Sequence, residues 1–196
     1  MRKPLPLKTT GRLLLAASFV MLAAGCGGPD TNGTKGGYVS GKDRLIVRVD
    51  PADRKKGPVL SGDDLNGDPV STADFAGKTI VVNVWGSWCP PCRKEAGALD
   101  AVAQKMKPEG VEFLGIAVRE EAATTLAFTK KRKISYPSIS DTTGHLLLGF
   151  AKSLPSQAIP TTWIIDSEGR VAARILNDTT ESTLTGLIED VQASVK

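Results

Sequence analysis

Metal-binding residues are scarce in this sequence. It contains a single histidine, His145, and only three cysteines among 196 residues. A zinc site needs a second cysteine or histidine pair at suitable spacing, and outside the pair Cys89/Cys92 only His145 is left in the body of the chain. His145 follows a Thr-Thr-Gly turn without any partner pattern, so we interpret it as a plain loop histidine. We predict no metal site.

An excess of charge is also absent once the first segment is set aside. The whole chain has 25 basic and 21 acidic residues, a net charge of +4. Residues 1–26 hold four of the basic residues and none of the acidic ones, so the remainder carries 21 of each sign. A formally neutral protein has no electrostatic reason to bind a polyanion. We therefore predict no nucleic-acid partner.

No apolar run is long enough to predict a transmembrane helix. Residues 13–24 form an apolar run of about a dozen residues with only Ser18 polar, whereas a helix that spans a bilayer needs about 20. Basic residues precede this run and small residues close it, the pattern of a secretory signal peptide. We assign residues 1–25 to a signal peptide and expect the protein on the extracytoplasmic face.

Cys26 follows the small residues directly. The stretch from Leu22 to Cys26 (LAAGC) resembles the lipobox of lipoproteins, although Leu22 lies one place earlier than the usual leucine. This resemblance implies that a lipid on Cys26 anchors the protein to the cell membrane. An ordinary secretory cleavage site that happens to precede a cysteine is the alternative. Residues 26–43, which have almost nothing to bury, are predicted to be a flexible tether before a domain at 44–196.

The odd number of cysteines is explained if Cys26 carries the lipid. An exported chain with three cysteines would otherwise leave one thiol without a partner. Cys89 and Cys92 then remain as a pair separated by only two residues. The compartment outside the cytoplasm lets a disulfide between them form and persist.

The hydrophobic pattern of residues 44–196 alternates between strand and helix signals. Apolar and β-branched runs predict strands at residues 45–49, 79–85, 111–118, 161–166 and 171–176. Three- and four-residue apolar spacing predicts helices at residues 91–107, 121–133 and 180–195, with a short helix at 146–150. Residues 59–60 and 69–71 are expected to form an N-terminal hairpin around the turn at 66–68.

This order of elements predicts an α/β domain with one ordinary core. A central mixed sheet is expected to be flanked by helices and extended by an N-terminal β-hairpin, and the first crossover must be right-handed. This arrangement matches the thioredoxin fold.

The pair Cys89/Cys92 lies at the junction between a predicted strand and a predicted helix. At a helix N-terminus the dipole favours a thiolate on the first cysteine, and the second lies one turn inside, close enough to form a disulfide. This placement suits thiol-disulfide exchange, with Cys89 as the attacking thiol and Cys92 as the resolving thiol. A purely structural disulfide is the alternative, but a bridge over two residues restricts the unfolded chain little.

Three motifs in sequence order resemble the TlpA/ResA branch of membrane-tethered thioredoxin-like proteins over residues 56–195. They are Gly-Lys leading into Val-Val-Asn-Val-Trp, Trp-Cys-Pro-Pro-Cys followed by Arg-Lys-Glu, and Ile-Pro-Thr-Thr leading into Trp-Ile-Ile-Asp. Their joint occurrence in the right order is far more specific than any single motif. The resemblance implies a thioredoxin fold and a thiol-disulfide oxidoreductase, for which we predict no cofactor.

The resemblance also implies substrate-binding roles for residues around the cysteine pair. Pro160 would follow a cis peptide bond beside the pair, and Ile159 would present its backbone to an extended client segment. A Pro160 that merely starts a strand is the alternative. Trp88 is expected to shield the thiols and, with Pro90 and Pro91, to shape the docking surface.

The other tryptophans, Trp85 and Trp163, have a simpler interpretation. Trp85 ends a predicted buried strand and Trp163 lies inside another. Large aromatic side chains in such positions are usually core residues, and we interpret both in that way.

Asn83 and Glu95 mark a departure from thioredoxin itself. Thioredoxin has a buried aspartate six residues before its first cysteine, where it serves proton transfer to the resolving thiol, and this chain has Asn83 there. In ResA-like proteins a glutamate three residues after the second cysteine lies near the site, and Glu95 occupies that position. Glu95 is therefore a candidate catalytic residue. An exposed glutamate that stabilises the helix N-terminus is the alternative.

These observations favour a protein disulfide reductase that acts on exported proteins, with apocytochrome c among its candidate clients, and that a membrane electron donor recharges. A disulfide-forming oxidant and a metal-carrying binding protein of the same fold are the alternatives. A copper carrier would want a Cys-x-x-x-Cys spacing and a placed histidine, and a thiol peroxidase would want a Thr-x-x-Cys site. Neither spacing is present at Cys89/Cys92.

Overall fold

The computed structural model describes residues 45–156 and 158–195. The predicted signal peptide at 1–25, the predicted lipid attachment at Cys26 and the predicted tether at 26–43 lie outside these ranges. Within them, no helix has the length and apolar character needed to cross a membrane.

A six-stranded mixed sheet forms the centre of the domain. The eight strands in chain order are β1 (Ile46–Arg48), β2 (Ser61–Asp63), β3 (Pro69–Ser71), β4 (Thr79–Trp85), β5 (Val111–Val118), β6 (Ser138–Asp141), β7 (Thr161–Ile165) and β8 (Val171–Leu176). The sheet order is β1-β8-β7-β4-β5-β6, while β2 and β3 pair separately as a hairpin. β4, β5 and β6 are parallel, and β7, β8 and β1 extend the other side with antiparallel pairs.

Three α-helices and four short 3-10 helices connect these strands. The α-helices are α1 (Pro90–Met106), α2 (Ala122–Arg132) and α3 (Glu181–Ala193). The 3-10 helices span Pro51–Asp53, Thr72–Phe75, Lys107–Glu109 and His145–Phe150. The predicted α/β architecture, with its mixed sheet, flanking helices and N-terminal hairpin, is confirmed.

Alternating side chains of β4 divide the core into two parts. Val81 packs on one face of the sheet with apolar residues of α1 and α3, among them Leu99 and Leu184. Val82 packs on the other face with Trp163 and other residues that include Leu60, Leu114 and Phe150. All seven residues of β4 are buried, as expected for a central strand covered on both faces.

The structure corrects two of the expected elements, the first arm of the hairpin and the short helix near His145. The first arm of the hairpin is Ser61–Asp63 rather than residues 59–60, because Leu60 turns into the core while Val59 stays exposed. The short helix expected at 146–150 is a 3-10 helix that begins at His145, so His145 lies at a helix start rather than in a plain loop.

The sequence did not predict β6, the strand at the edge of the sheet. Its sequence, Ser-Ile-Ser-Asp, contains one apolar residue and gives no strand signal. It pairs in parallel with β5 from Gly115 to Val118. A side chain at Gly115 would clash with Ser138, so this glycine permits the close approach of the two strands.

A buried charge cluster lies at the end of β7. Asp166 Oδ2 accepts hydrogen bonds from Arg54 Nη1 at 3.1 Å and from Arg170 Nε at 3.0 Å, and Asp166 Oδ1 accepts from backbone amides of the turn to β8. The Arg54 side chain is 3% exposed and that of Asp166 0%. Arg54 Nη2 also donates to Ser194 Oγ, just beyond α3, at 2.7 Å. The cluster therefore ties three distant parts of the chain together.

We expect Asp166→Asn to lower the free energy of unfolding by roughly 3–5 kcal/mol, because it leaves the Arg54 guanidinium buried without a carboxylate. Asp190→Asn is the matched control, since Asp190 is 53% exposed in its pair with Arg48. That variant should cost less than about 1 kcal/mol. Urea denaturation of both variants measures the difference, and equal costs would contradict the assigned role of the cluster.

Candidate active site

The cysteine pair lies where β4 leads into α1. Cys89 is the N-cap residue of α1, with an extended backbone, and Cys92 lies in the first turn of the helix. The two form a disulfide with Cα atoms 5.3 Å apart. Both residues are buried, with exposed fractions of 3% and 2%. The expected placement at a strand-to-helix junction is therefore confirmed.

The helix N-terminus offers few donors to the first sulfur. Cys89 Sγ accepts a hydrogen bond from Cys92 N at 3.3 Å. Pro90 and Pro91, which fill the first two positions of the helix, have no N–H group to contribute. A thiolate on Cys89 is therefore less stabilised than it would be at a helix start with ordinary amides.

The loop before β7 brings Pro160 to the cysteine pair. The peptide bond between Ile159 and Pro160 is cis. Ile159 O lies 3.9 Å from Cys89 Sγ, so the backbone on which a client segment is expected to dock lies directly beside the first sulfur. Asn177 N donates to Pro160 O at 3.1 Å and fixes this loop from the end of β8.

Two of the three tryptophans are buried and one is exposed, as expected. Trp163 is fully buried and stacks on Phe150, with ring centroids 3.9 Å apart. Trp85 is 5% exposed and donates through Nε1 to Ser138 Oγ. Trp88, next to Cys89, is 46% exposed. It is therefore the tryptophan available to a docking partner.

Glu95 is buried, which overturns its interpretation as an exposed first-turn residue. It is 2% exposed, and its two carboxylate oxygens accept from Asn83 Nδ2 and from Thr179 N, each at 3.0 Å. Asn83 Nδ2 also donates to Thr162 Oγ1. The central strand β4, the active-site helix α1 and the loop before α3 thus meet at this carboxylate, and β7 is joined to it through Asn83.

Burial raises the pKa of Glu95 to about 7 and is the largest cause of the shift. The hydrogen bonds from Asn83 and Thr179 oppose the shift, while the negative charge of Asp178 adds to it. Lys94 neutralises part of that charge through an ion pair with Asp178 at 2.6 Å. Glu95 can therefore gain or lose a proton near neutral pH.

A small cavity connects the Glu95 network to the second thiol. Its volume is about 10 Å³, and it is lined by Asn83 and Cys92 together with aromatic residues that include Trp85 and Tyr136. Asn83, whose amide binds Glu95, and Cys92 therefore line the same cavity. Burial, followed by the charges of Glu95 and Asp100, raises the pKa of Tyr136, so its hydroxyl stays protonated.

Sequence analysis did not identify Thr162, Thr179 or Glu120 as parts of the site. Thr162 and Thr179 bind the Asn83–Glu95 pair, and Glu120 binds Ser87 next to Trp88. Each is separated from its partner by 33 or more residues, and no periodic or motif signal links positions so far apart. The parallel order of β4 and β5 brings Glu120 close, and β7 carries Thr162 to Asn83.

Residues 45–156 and 158–195 include histidine, cysteine and acidic side chains of the kinds that bind metal ions. In those ranges, no three histidine, cysteine or acidic side chains are grouped so that they could hold a metal ion. His145 is exposed at the start of its 3-10 helix, where its backbone N–H donates to Asp141 Oδ1.

The redoxin family model matches residues 52–188 of this chain. The thiol-disulfide oxidoreductase ResA of Bacillus cereus is 29% identical over 155 residues, which cover 79% of this chain and 84% of that protein. ResA of Bacillus subtilis is 31% identical over 122 residues, which cover 62% and 66% of the two chains.

Two solved structures extend this similarity to the fold. A DsbF homologue from Corynebacterium diphtheriae is 32% identical with a TM-score of 0.68, covering 77% of this chain and 96% of the other. A secreted thiol-disulfide isomerase from Corynebacterium glutamicum is 29% identical with a TM-score of 0.70, covering 80% and 96%. These two similarities agree with the buried Cys89–Cys92 pair and with the cis peptide bond before Pro160. The chain belongs to the redoxin family, as a TlpA/ResA-like thiol-disulfide oxidoreductase of thioredoxin fold.

Proposed function

We propose that this protein reduces disulfides in exported proteins through the Cys89/Cys92 pair. The observation that supports this direction is the shortage of donors at Cys89 Sγ, which accepts from Cys92 N while Pro90 and Pro91 offer no amide. A thiolate that is poorly stabilised makes the dithiol form less favourable relative to the disulfide. The pair then gives up its electrons more readily than the pair of a strong oxidant.

The reaction consists of two thiol-disulfide exchange steps. The Cys89 thiolate attacks a client disulfide, forms a mixed disulfide and releases the first client sulfur as a thiolate. Cys92, once deprotonated, attacks Cys89 Sγ and releases the second client sulfur. The client gains two electrons, and the protein is left with the Cys89–Cys92 disulfide. A membrane electron donor would then return the pair to its dithiol form.

The client would dock across the surface formed by Trp88, Pro90, Pro91 and Ile159, next to Pro160. Ile159 O lies 3.9 Å from Cys89 Sγ, which suits a client backbone held in extended form beside the attacking sulfur. The half-exposed Trp88 gives this surface a large apolar contact. Apocytochrome c, with its closely spaced cysteines, is one client of suitable chemistry.

The place of action that we propose is the extracytoplasmic face of the cell membrane. The similar isomerase from Corynebacterium glutamicum is described as secreted, which agrees with a signal peptide at residues 1–25. A lipid on Cys26 and a tether at 26–43 would keep the domain near a membrane donor. A free thiol on mature Cys26 in mass spectrometry would exclude the anchor.

The reduction potential of the Cys89/Cys92 pair tests the direction of the reaction. We expect a value near that of thioredoxin, about −270 mV, rather than near that of a strong oxidant, about −120 mV. Equilibration with glutathione or dithiothreitol buffers measures it. A potential close to the oxidant value would overturn the reductase proposal and favour a disulfide-forming oxidant.

Trapping experiments test the assigned roles of the two thiols. Cys92→Ser should accumulate mixed disulfides through Cys89, because Cys89 still attacks the client disulfide but no second thiol is left to release the bound client sulfur. Cys89→Ser should accumulate few or none, because Cys89 Sγ lies 3.9 Å from Ile159 O, where the client is proposed to dock, whereas Cys92 lies inside the first turn of α1. Non-reducing electrophoresis of both variants with reduced Cys thiols measures the adducts, and equal trapping would show that the roles are assigned wrongly.

Glu95 is proposed to accept the proton of Cys92 before the second step. Its pKa of about 7 lets it act near neutral pH, and Asn83 connects it to the cavity that Cys92 lines. Asn83 itself cannot take a proton. The negative form of Glu95 would also disfavour a nearby thiolate and so raise the pKa values of both thiols.

We expect Glu95→Gln to slow the release of mixed disulfides and to lower the apparent pKa of Cys89. In the unsubstituted protein the release rate should rise as the pH passes through about 7, because Glu95 must lose its proton to act as a base. The variant should lack this rise. Stopped-flow measurement of mixed-disulfide lifetime, paired with the ultraviolet absorbance of the thiolate, follows both effects.

Glu109→Gln is the matched control, since it makes the same change at an exposed residue beyond α1. It should leave the pH profile and the thiol pKa unchanged. If Glu95→Gln behaves in the same way as this control, Glu95 has no part in proton transfer.

A further inference from the structure

The turn that presents Trp88 is held by residues just after β5. Cys89 N donates to Gly86 O at 3.1 Å, which closes a four-residue turn with Ser87 and Trp88 at its centre. Glu120 accepts from the Ser87 backbone N–H at 2.6 Å and, with its other oxygen, from Ser87 Oγ. Trp88 Nε1 donates to Val118 O at 3.1 Å. Both central residues of the turn are therefore bound from the same short segment.

Arg119 lies between these two contacts in a backbone conformation that non-glycine residues rarely adopt. Its φ is 61°, in the left-handed region. Such a conformation is retained where the surrounding structure requires it. Here it turns the chain so that the Val118 carbonyl and the Glu120 carboxylate both reach the same turn. The Arg119 guanidinium lies 5.9 Å from the centroid of the Trp88 ring.

We propose that Glu120 is a positioning residue that fixes the Gly86–Cys89 turn and so presents Trp88 to protein clients. This inference rests on the proposed role of Trp88 in docking. Hydrogen bonds to a carboxylate are stronger than those between neutral groups, and this one binds both the main chain and the side chain of one residue. The turn is thereby rigid before a client arrives, which lowers the entropy lost on docking.

We expect the loss of activity in a Glu120 variant to depend on the size of the substrate. A protein disulfide that docks as proposed contacts Trp88 while Cys89 attacks, whereas a small aromatic disulfide has to reach only the Cys89 sulfur. Displacement of a binding group by about 1 Å can cost up to roughly a hundredfold in rate. Because Val118 still holds Trp88 in part, we expect Glu120→Ala to reduce kcat/KM for insulin by roughly tenfold. Its rate with dithionitrobenzoate should change much less.

Three further variants separate this role from general destabilisation. Ser87→Ala keeps the bond from the backbone N–H and should lose less activity than Glu120→Ala. Glu120→Gln keeps one carbonyl oxygen for Ser87 N and should restore part of the insulin activity. Glu121→Ala is the control, because Glu121 is exposed, carries the same charge one residue further on and makes no side-chain cap bond. It should behave as the unsubstituted protein.

Acrylamide quenching of tryptophan fluorescence provides a readout that needs no client. Trp85 and Trp163 are buried, so quenching reports mainly on Trp88. Glu120→Ala should increase the quenching constant, and adding Ser87→Ala to it should give little further change because both remove the same contact. Unchanged quenching, or an equal loss of rate with insulin and dithionitrobenzoate, would overturn the proposal.

The same set of measurements keeps this inference separate from the proposed reductase function. If the unsubstituted protein fails to reduce insulin, the reductase proposal fails, whereas the fluorescence comparison between Glu120→Ala and Glu121→Ala still tests the turn. If insulin is reduced equally well by both variants and quenching is the same, Glu120 has no positioning role, whatever the direction of the reaction.

Discussion

Burial of β4 on both faces is the constraint on which the redox site depends. Every residue of this strand is enclosed between parallel β5 and antiparallel β7, so its direction and register are fixed by the whole sheet. The chain leaves the strand at Trp85 and reaches the N-cap of α1 four residues later. The position of Cys89 is therefore determined by the core rather than by a mobile loop. The cis peptide bond before Pro160 directly precedes β7, which pairs with β4 in the sheet. This pairing places the Pro160 loop beside the cysteine pair.

The same burial encloses a polar network around Asn83. Asn83 is a polar residue in the middle of an otherwise apolar strand, and it needs partners because an unpaired buried amide is costly. Glu95 and Thr162 provide them for its Nδ2 group, while its buried Oδ1 has no hydrogen-bond partner among the described residues. Enclosing a carboxyl group in this way disfavours its charged form, which explains why Glu95 ionises near neutral pH rather than in acid. The contact with Asn83 satisfies the Nδ2 group of the amide, while burial raises the pKa of Glu95 against the opposing effect of that same contact.

Local sequence signals predicted the parts of the molecule that depend on local physics. The apolar runs of β4, β5, β7 and β8 and the periodic spacing in α1 and α3 were sufficient for the fold class, and the Cys-x-x-Cys pair between strand and helix located the site. β6 escaped prediction because its strand character comes from pairing with β5 rather than from its own composition. The burial of Glu95, the Glu120 contact with Ser87 and the Arg54–Asp166 pair depend on residues far apart in sequence. Only the folded topology brings these together.

The antiparallel pairing of β1 with β8 determines where the chain enters the domain. Leu45 O accepts from Leu176 N, and Leu176 lies opposite Thr161, which in turn pairs with Val84 near the end of β4. The entry point is therefore at the same end of the sheet as the cysteine pair. A bulky group attached to the chain just before β1 would therefore lie nearer to the redox site than one attached at the opposite end of the sheet.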